Sequence, residues 1–408
     1  MHQARSHTRS LRWTERGALA LLAGLVAFGL SPALPALAGT WSAPVLLPGS
    51  CGASVAVNQA GAMAAGGTFQ AADGSTHVQL CTSPDGKTWQ AADLGQGGSL
   101  HRPVMAVDPA GRSVAVWGSY VGCPAACGYS VQAAARPQGG SWGAAVTLSA
   151  HLNFDRGGPA LGIDSAGDVI AAWDDILDQE VTYAVLRAGS GSWGPAQTLS
   201  TESMQGEAHN PSLAVSPDGS VVVAFTGGND AIWAISGSIT GGFSAPVFVA
   251  AGDYGKDSAP KVALGDAGQA SLAWSRTGRI EAATRSPGGT WSAAAVLASQ
   301  ASSSVAAAVD SAGNAIAVFG SSFSWHLVGG SWGPAAPLPA GSSGGLVAAD
   351  PAGTFVYADS GGNAFTFAAG ATSFGTGSGS RGSLGDLKIV PGRAVMLAAD
   401  AVSTQTVN

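Results

Sequence analysis

The chain repeats one pattern of short β-type runs about eight times along its length. In one copy the runs cover residues 103–111, 113–117 and 129–135, and a Gly-Gly-Ser-Trp sequence ending at Trp142 introduces the last one. Turn residues separate the runs, so that each repeat contains four strand-like segments within about 40–55 residues, as is typical of a β-propeller blade. The sequence therefore predicts an all-β chain that forms a single β-propeller of four-stranded antiparallel blades.

The two ends of the repeat region complement each other. Residues 41–47 form a lone fourth strand, whereas the C-terminal strands near 387–390, 394–399 and 404–408 correspond to strands one to three. Joining them completes one blade and leaves no long open sheet edge. We therefore expect eight blades, with the ring closed by the N-terminal strand. The Gly- and Ser-rich stretch 372–383 leaves seven blades as the alternative.

Two positions recur in almost every repeat. A glycine ends the first turn, and four copies carry an aspartate three residues earlier (Gly61, Gly111, Gly167, Gly219, Gly268, Gly313, Gly353 and Gly392; Asp108, Asp164, Asp310 and Asp350). This pairing predicts a tight hairpin between strands one and two. An aromatic residue introduces the fourth strand (Trp41, Trp89, Trp142, Trp193, Phe243, Trp291, Trp332 and Phe374). We interpret it as a packing anchor between blades, with a ring of sugar-stacking tryptophans as the alternative.

Residues 1–38 have the features of a secretory signal peptide. Four arginines precede an apolar run over 18–30, and Ala36-Leu37-Ala38 matches a small-residue cleavage site. We expect a cleaved signal peptide at 1–38 and a propeller domain at 39–408, secreted to the extracellular space or the periplasm. The mature chain then has 14 basic and 24 acidic residues, a net charge of −10. This balance disfavours nucleic-acid binding. We also predict no membrane span in the mature chain and a monomer.

All four cysteines lie in the first two repeats, and an even number in a secreted chain predicts disulfides. Three pairings are possible. We favour Cys51–Cys81 within the first repeat and Cys123–Cys127 within one loop.

One turn carries a more specific motif, Ser83-Pro-Asp-Gly-Lys-Thr-Trp89. It resembles the Asp box of the sialidase (neuraminidase, BNR-repeat) superfamily, although it is one residue shorter between Asp and Gly. Other repeats keep the Gly and Trp of this motif but not the Asp. The resemblance implies that Asp85 stabilises its turn on the face away from the active site. The family's Phe-Arg-Ile-Pro element has only His101-Arg102-Pro103-Val104 as its nearest match, and we assign no catalytic residue.

The candidate binding site lies on the loops that lead into strand one and out of strand two, because ligands usually bind at that face of a propeller. The entry loops of blades two to five and the ends of three second strands combine charged, amide and aromatic side chains, which suit a polar, ring-shaped ligand. The alternative is ordinary loop polarity, with the tryptophans packed between blades. The predicted ligand-binding residues are His101, Arg102, Trp117, Asp155, Arg156, Trp173, Asp174, Asp175, His209, Asn210, Asp257, Trp274 and Arg276.

The acidic run 174–180 is the densest in the chain and could hold Ca²⁺, but it lacks the spacing of known calcium loops, and a solvated acidic loop is the favoured interpretation. A zinc site at the cysteines is disfavoured because no histidine or second close cysteine pair has ligand spacing. We predict no metal and no cofactor. The leading functional hypothesis is a secreted propeller that binds a glycan or a cell-surface polymer. The first alternative is a divergent sialidase-like glycoside hydrolase, and the second is a scaffold that binds a protein partner.

Overall fold

The computed structural model describes residues 40–97, 102–121, 128–152, 158–175, 178–200, 207–252 and 259–407. The predicted signal peptide at 1–38 lies outside these residues. In the described part, antiparallel β-sheets follow one another along the chain as eight blades, with one 3-10 turn at Gly228–Asp230. No helix in these ranges is long and apolar enough to cross a membrane.

A short strand, β1 (Val45–Leu46), precedes the first four blades. Each of these blades runs from its innermost to its outermost strand in chain order. Blade one contains β2 (Ser54–Val57), β3 (Met63–Gln70), β4 (Thr76–Ser83) and β5 (Gln90–Gln96); blade two contains β6 (Val104–Val107), β7 (Ser113–Val121), β8 (Gly128–Arg136) and β9 (Val146–Leu152); blade three contains β10 (Ala160–Ile163), β11 (Val169–Asp175), β12 (Glu180–Leu186) and β13 (Gln197–Thr198); blade four contains β14 (His209–Val215), β15 (Ser220–Gly227), β16 (Ala231–Ser238), β17 (Gly242–Phe243) and β18 (Val247–Ala250).

The remaining four blades follow the same order, and β1 serves as the outer strand of the last one. Blade five contains β19 (Lys261–Leu264), β20 (Ala270–Arg276), β21 (Arg279–Arg285) and β22 (Ala295–Ala298); blade six contains β23 (Val305–Val309), β24 (Ala315–Phe319), β25 (Ser322–His326) and β26 (Ala336–Pro337); blade seven contains β27 (Leu346–Ala349), β28 (Thr354–Ala358) and β29 (Ala364–Ala368); blade eight contains β30 (Leu384–Val390), β31 (Arg393–Ala398) and β32 (Ala401–Thr406).

The ring closes as predicted, through pairing of the first strand with the last. Val45 and Leu46 of β1 lie opposite Val402 and Ala401 of β32. The backbone N–H of Leu47 donates to the carbonyl of Asp400 at 2.9 Å, and this hydrogen bond extends the pairing beyond β1. The eight-bladed prediction is therefore confirmed.

Blade seven shows why the Gly- and Ser-rich stretch made the blade count ambiguous. Its sheet has three strands rather than four. The segment after β29 nevertheless follows that strand, since Gly375 N–H donates to Thr366 O at 2.8 Å and Ser378 N–H donates to Ala364 O at 2.9 Å. An irregular segment thus takes the place of the missing fourth strand and protects the edge of β29.

The core consists of apolar layers between neighbouring blades. Each layer contains the aromatic residue that introduces a fourth strand: Trp142 of blade two, for example, packs against the layer formed by Leu80 of blade one and Trp117 of blade two. Trp41 packs in the same way between blades seven and eight, although it lies near the N-terminus. The same arrangement at all eight interfaces confirms that these aromatics are packing anchors.

The hairpins between strands one and two form the opposite face from the candidate site, and we call it the turn face. All eight predicted turn glycines have positive φ, between 76° and 97°. In blade two, Asp108 Oδ1 accepts a hydrogen bond from the backbone N–H of Arg112 at 2.7 Å and so closes the turn. Neighbouring hairpins are also joined, as where Asn58 Nδ2 donates to the carbonyl of Asp108 at 2.9 Å.

The Asp-box-like turn also lies on the turn face and has the role that the resemblance implied. Asp85 Oδ1 accepts hydrogen bonds from the backbone N–H groups of Lys87 at 2.8 Å and Thr88 at 3.1 Å. The hydrogen bond from the Lys87 N–H makes the largest contribution to lowering the pKa of the Asp85 carboxyl. Trp89 Nε1 donates to the carbonyl of Gly86 at 3.2 Å and fixes the ring against the turn.

Cys51 and Cys81 form a disulfide with a Cα–Cα distance of 6.0 Å, as predicted. It links the segment before β2 to the third strand of the same blade, and both residues are buried. Cys123 and Cys127 lie outside the described residues.

Candidate functional site

The connections from strand four to the next strand one, and from strand two to strand three, form the loop face. Four predicted site residues, His101, Asp155, Arg156 and Asp257, lie outside the described residues. Arg102 is exposed just before β6, and Asp175 is half-buried at the end of β11. The other predicted residues belong to three groups with different surroundings.

The first group consists of Trp117, Trp173 and Trp274, which were expected to offer stacking faces to a ligand. Each is at most 1% exposed. Their rings lie inside the apolar layers between blades. The side chains of strand two alternate in direction and point between the neighbouring sheets. The structure therefore corrects the expectation, because protein atoms already cover these rings.

The second group joins blade three to blade four at the loop face. Asp174, His209 and Asn210 are all buried, and Asp174 has no exposed surface. Asp174 Oδ2 accepts a hydrogen bond from the backbone N–H of Asn210 at 3.3 Å, and Asn210 has a φ of 55°. Burial raises the pKa of Asp174 to about 6, although the Asn210 bond and the nearby His209 favour the carboxylate. These residues form a buried contact between blades, in which the pKa of the Asp174 carboxyl is raised well above its ordinary value.

The third group is Arg276 alone, which lines a cavity of about 770 Å³ at the mouth of the channel between blades five, six and seven. We call it the mouth cavity. Lys261 and Arg276 supply its positive charges, and hydroxyl groups supply most of its other polar surface (Ser275, Thr277, Ser302, Ser303 and Ser304). Its volume lies within the usual range for small-ligand sites.

Lys261 is the first residue of the innermost strand of blade five, and this position brings its side chain to the mouth cavity. Lys261 is exposed, but protein atoms crowd its side chain, and this partial desolvation lowers the pKa of Lys261. No carboxylate pairs with its ammonium group among the described residues. An anionic group in the cavity would restore the lost charge stabilisation.

Arg276 is held in place from behind. Its Nη2 donates to the carbonyl of Gly252 at 3.1 Å, and its Nη1 lies 3.6 Å from Glu281 Oε2. Glu281 is buried, forms a second ion pair with Arg279 Nε at 2.7 Å, and accepts a hydrogen bond from Trp274 Nε1 at 3.1 Å. This network positions the guanidinium at the mouth cavity.

The arrangement provides cations and hydroxyl groups that can bind an oxygen-rich anionic ligand. Among the described residues, no group of three His, Cys, Asp or Glu side chains is placed to hold a metal ion. Sequence reasoning identified Arg276 but missed Lys261 and the serines at 302–304. The available signal was the position of Lys261, one of four lysines after residue 38, directly at the entry to a strand.

No family model and no curated protein matches this chain. Solved structures with the same fold include a lectin, BP39L from Burkholderia pseudomallei, with a TM-score of 0.53 and 14% identity over 81% of this chain and 98% of the lectin. BamB from Moraxella catarrhalis has a TM-score of 0.52 and 14% identity over 90% and 99% of the two chains. Virginiamycin B lyase from Staphylococcus aureus, solved with quinupristin, has a TM-score of 0.52 and 11% identity over 90% and 100%.

These three propellers include a lectin and a lyase, so the shared fold accommodates both binding and catalysis. At such low identity the similarity shows the architecture alone. The sheet topology shows an eight-bladed β-propeller. The comparisons show that a propeller fold also occurs in a lectin.

Proposed function

We propose that this protein is a secreted binding propeller that recognises an anionic glycan or cell-surface polymer through the mouth cavity. The observation that carries the proposal is the pairing of Lys261 and Arg276 with a wall of hydroxyl groups in one cavity of about 770 Å³. Carboxylated or sulfated sugars match this lining in two ways. Their anionic groups can pair with Lys261 and Arg276, and their hydroxyl groups can hydrogen-bond to the serines.

The preference for an anion follows from the charges around the mouth cavity. Arg276 already has Glu281 as an ion-pair partner, but Lys261 has no described partner and loses solvation to the cavity wall. A ligand carboxylate or sulfate beside Lys261 would form a charge-assisted hydrogen bond in a partly desolvated site. Because the rest of the chain is acidic, the cationic mouth would also give the ligand a defined place to bind.

Secretion is part of the same proposal. The signal-peptide-like sequence at 1–38 supports it, and so does the disulfide between Cys51 and Cys81, because disulfides persist in oxidising compartments. The sialidase resemblance supports a carbohydrate ligand through its Asp-box-like turn. It assigns no catalytic group, and the mouth cavity is lined by cations, hydroxyls and apolar side chains such as Val305 and Leu346, which is chemistry for binding.

The test is a binding measurement with polygalacturonate and heparin fragments as anionic probes and dextran as a neutral one. The wild type should bind an anionic probe with an affinity that falls as salt is added. Lys261→Gln should weaken that binding about tenfold or more, because it removes the cation that has no ion-pair partner among the described residues. Lys87→Gln makes the same charge change on the turn face and is the matched control.

Failure of the wild type to bind either anionic probe, or equal binding by wild type and Lys261→Gln, would overturn the proposal. A chromogenic sialoside belongs in the same series. Release of its reporter would replace the binding function with a sialidase-like hydrolase.

A further inference from the structure

A second cavity shares no lining residue with the mouth cavity and lies on the side of the ring near the turn face. It occupies about 460 Å³ between the outer parts of blades three and four. Its wall contains the aromatic rings of Tyr183, Trp193 and Phe243, with Arg187 and Gln197 beside them. We call it the outer cleft.

The aromatic wall is rigid. Tyr183 and Phe243 meet edge to face at 4.8 Å between ring centres, and both pack against the apolar layer between blades three and four. The Tyr183 hydroxyl donates to Gln197 Oε1 at 2.7 Å, and Gln197 is exposed. The hydrogen bond orients the amide, whose NH₂ group has no partner among the described residues.

The position of Arg187 distinguishes this cleft from its counterpart in blade five. Arg187 precedes Trp193 by six residues, and Arg285 precedes Trp291 by the same six. Arg285 stacks over the Trp291 ring at 5.4 Å from its centre and covers it. Arg187 instead pairs with Asp168, Nη1 to Oδ2 at 3.1 Å, and no stack with Trp193 is present. Blade three therefore leaves its aromatic wall open where blade five closes it.

The charges around the outer cleft favour a neutral ligand. Asp168 compensates the charge of Arg187, so the cleft gains little by binding an anion. Aromatic faces bind the apolar face of a sugar ring, while an amide, a guanidinium and the hydroxyls of Ser192 and Thr240 can bind its hydroxyl groups. The volume of the cleft lies in the range of small-ligand sites.

We propose that the outer cleft is a second binding site, which takes a neutral pyranose unit of a saccharide chain. The site uses none of the residues of the mouth cavity and does not depend on that cavity's function. With two sites on different faces, one protein molecule could bind a saccharide chain at two points or bind two saccharide chains. The joint affinity would then exceed that of either site alone.

The test uses methyl glycosides of the common neutral hexoses and N-acetylhexosamines as probes, with binding followed by saturation-transfer NMR up to about 10 mM, roughly ten times the Kd of a millimolar site. We expect at least one probe to bind the wild type. Gln197→Ala should weaken its binding about 3- to 10-fold, the loss of one hydrogen bond. Thr240→Trp should abolish binding, because a bulky side chain at this exposed position fills the entrance.

Neither variant changes the packed aromatic residues, and an unchanged melting temperature would show that the fold is intact. Gln138→Ala, an exposed turn-face glutamine in blade two, is the matched control and should bind as the wild type does. Absence of binding by every probe overturns the inference, as does binding that survives both Gln197→Ala and Thr240→Trp. Loss of neutral-probe binding in Lys261→Gln alone would assign those probes to the mouth cavity instead.

Discussion

The turn face and the loop face differ in how closely they follow the repeat. On the turn face, the same glycine with positive φ recurs in all eight blades, and aspartates such as Asp108 and Asp85 accept backbone hydrogen bonds that close their turns. On the loop face, Asp174 lies seven residues after the turn glycine of its repeat and Lys261 seven residues before that of its own. No other repeat has a carboxylate or a lysine, respectively, at the matching position. The repeated residues maintain the fold, whereas the candidate binding groups are departures from the repeat.

The same contrast holds within a single repeated position. Arg187 and Arg285 are equivalent in sequence, yet Arg285 covers a tryptophan and Arg187 is drawn to Asp168. Asp168 is the last residue before β11, where blade five has Gln269. Asp168 therefore accounts for the difference between Trp291, which an arginine covers, and Trp193, which lines a cavity.

The largest effect should come from breaking the repeat at its closure. Deleting residues 40–47 removes the strand that pairs with β32, together with the buried side chain of Leu47 and the packed ring of Trp41. We expect a loss of about 4 kcal/mol or more in the free energy of unfolding, measured by urea denaturation. Leu46→Ala changes a 76% exposed residue of the same strand and should have almost no effect. Equal stability of the deleted chain would exclude the shared blade.

The disulfide of blade one should have the next largest effect. Its two cysteines are 30 residues apart, and a loop of that size contributes about 3–4 kcal/mol of stability in the chain-entropy description. The double variant Cys51→Ala, Cys81→Ala should therefore unfold at a lower urea concentration. Adding a reducing agent should destabilise the wild type more than the double variant, and an effect that remains in the double variant would report the predicted Cys123–Cys127 disulfide. Equal effects of the reductant on the two proteins would show that the Cys51–Cys81 bond contributes nothing to stability.

Asp174 should make stability depend on pH. Its pKa rises from 3.8 to about 6 on folding, so the folded state binds the proton more tightly. Its stabilising contribution is complete below pH 3.8 and is lost as the pH rises through 6. The difference of about 2 pKa units corresponds to about 3 kcal/mol. Asp174→Asn should remove this dependence and be the more stable protein at pH 7.5.

Unfolding curves between pH 4 and 7.5 provide the measurement for Asp174. Asp175→Asn changes the neighbouring, half-buried carboxyl and should keep the dependence of the wild type. Parallel pH profiles for the wild type and Asp174→Asn would show that another group titrates.

The smallest effect should come from one repeated turn. Asp85→Ala removes the carboxylate that accepts two backbone hydrogen bonds, so the melting temperature should fall slightly. Because folding lowers the pKa of Asp85, its stabilising effect is present above the unfolded-state pKa and is lost as the pH falls through the folded-state value. Binding at the loop face should not change. A variant that keeps its melting temperature but loses binding would reverse the roles that we assign to the two faces.

The repeat by itself determined the architecture. Closure by residues 41–47, the turn glycines and the inter-blade aromatics follow from local patterns that recur at fixed spacing, and they favoured eight blades over seven. The Cys51–Cys81 pairing was the favoured one of three possible pairings. Such patterns are readable because hairpin turns and alternating strands depend on residues close in sequence.

Only the tertiary structure decided which polar and aromatic groups are available to a ligand. The sequence pattern around Trp117, Trp173 and Trp274 fits stacking residues and packing residues equally well. In the structure, neighbouring blades bury all three. Lys261 and Ser302–Ser304 belong to different repeats, and they line one cavity because the ring brings blades five and six side by side. Burial and the meeting of distant side chains depend on how the sheets pack against each other, which no single repeat encodes.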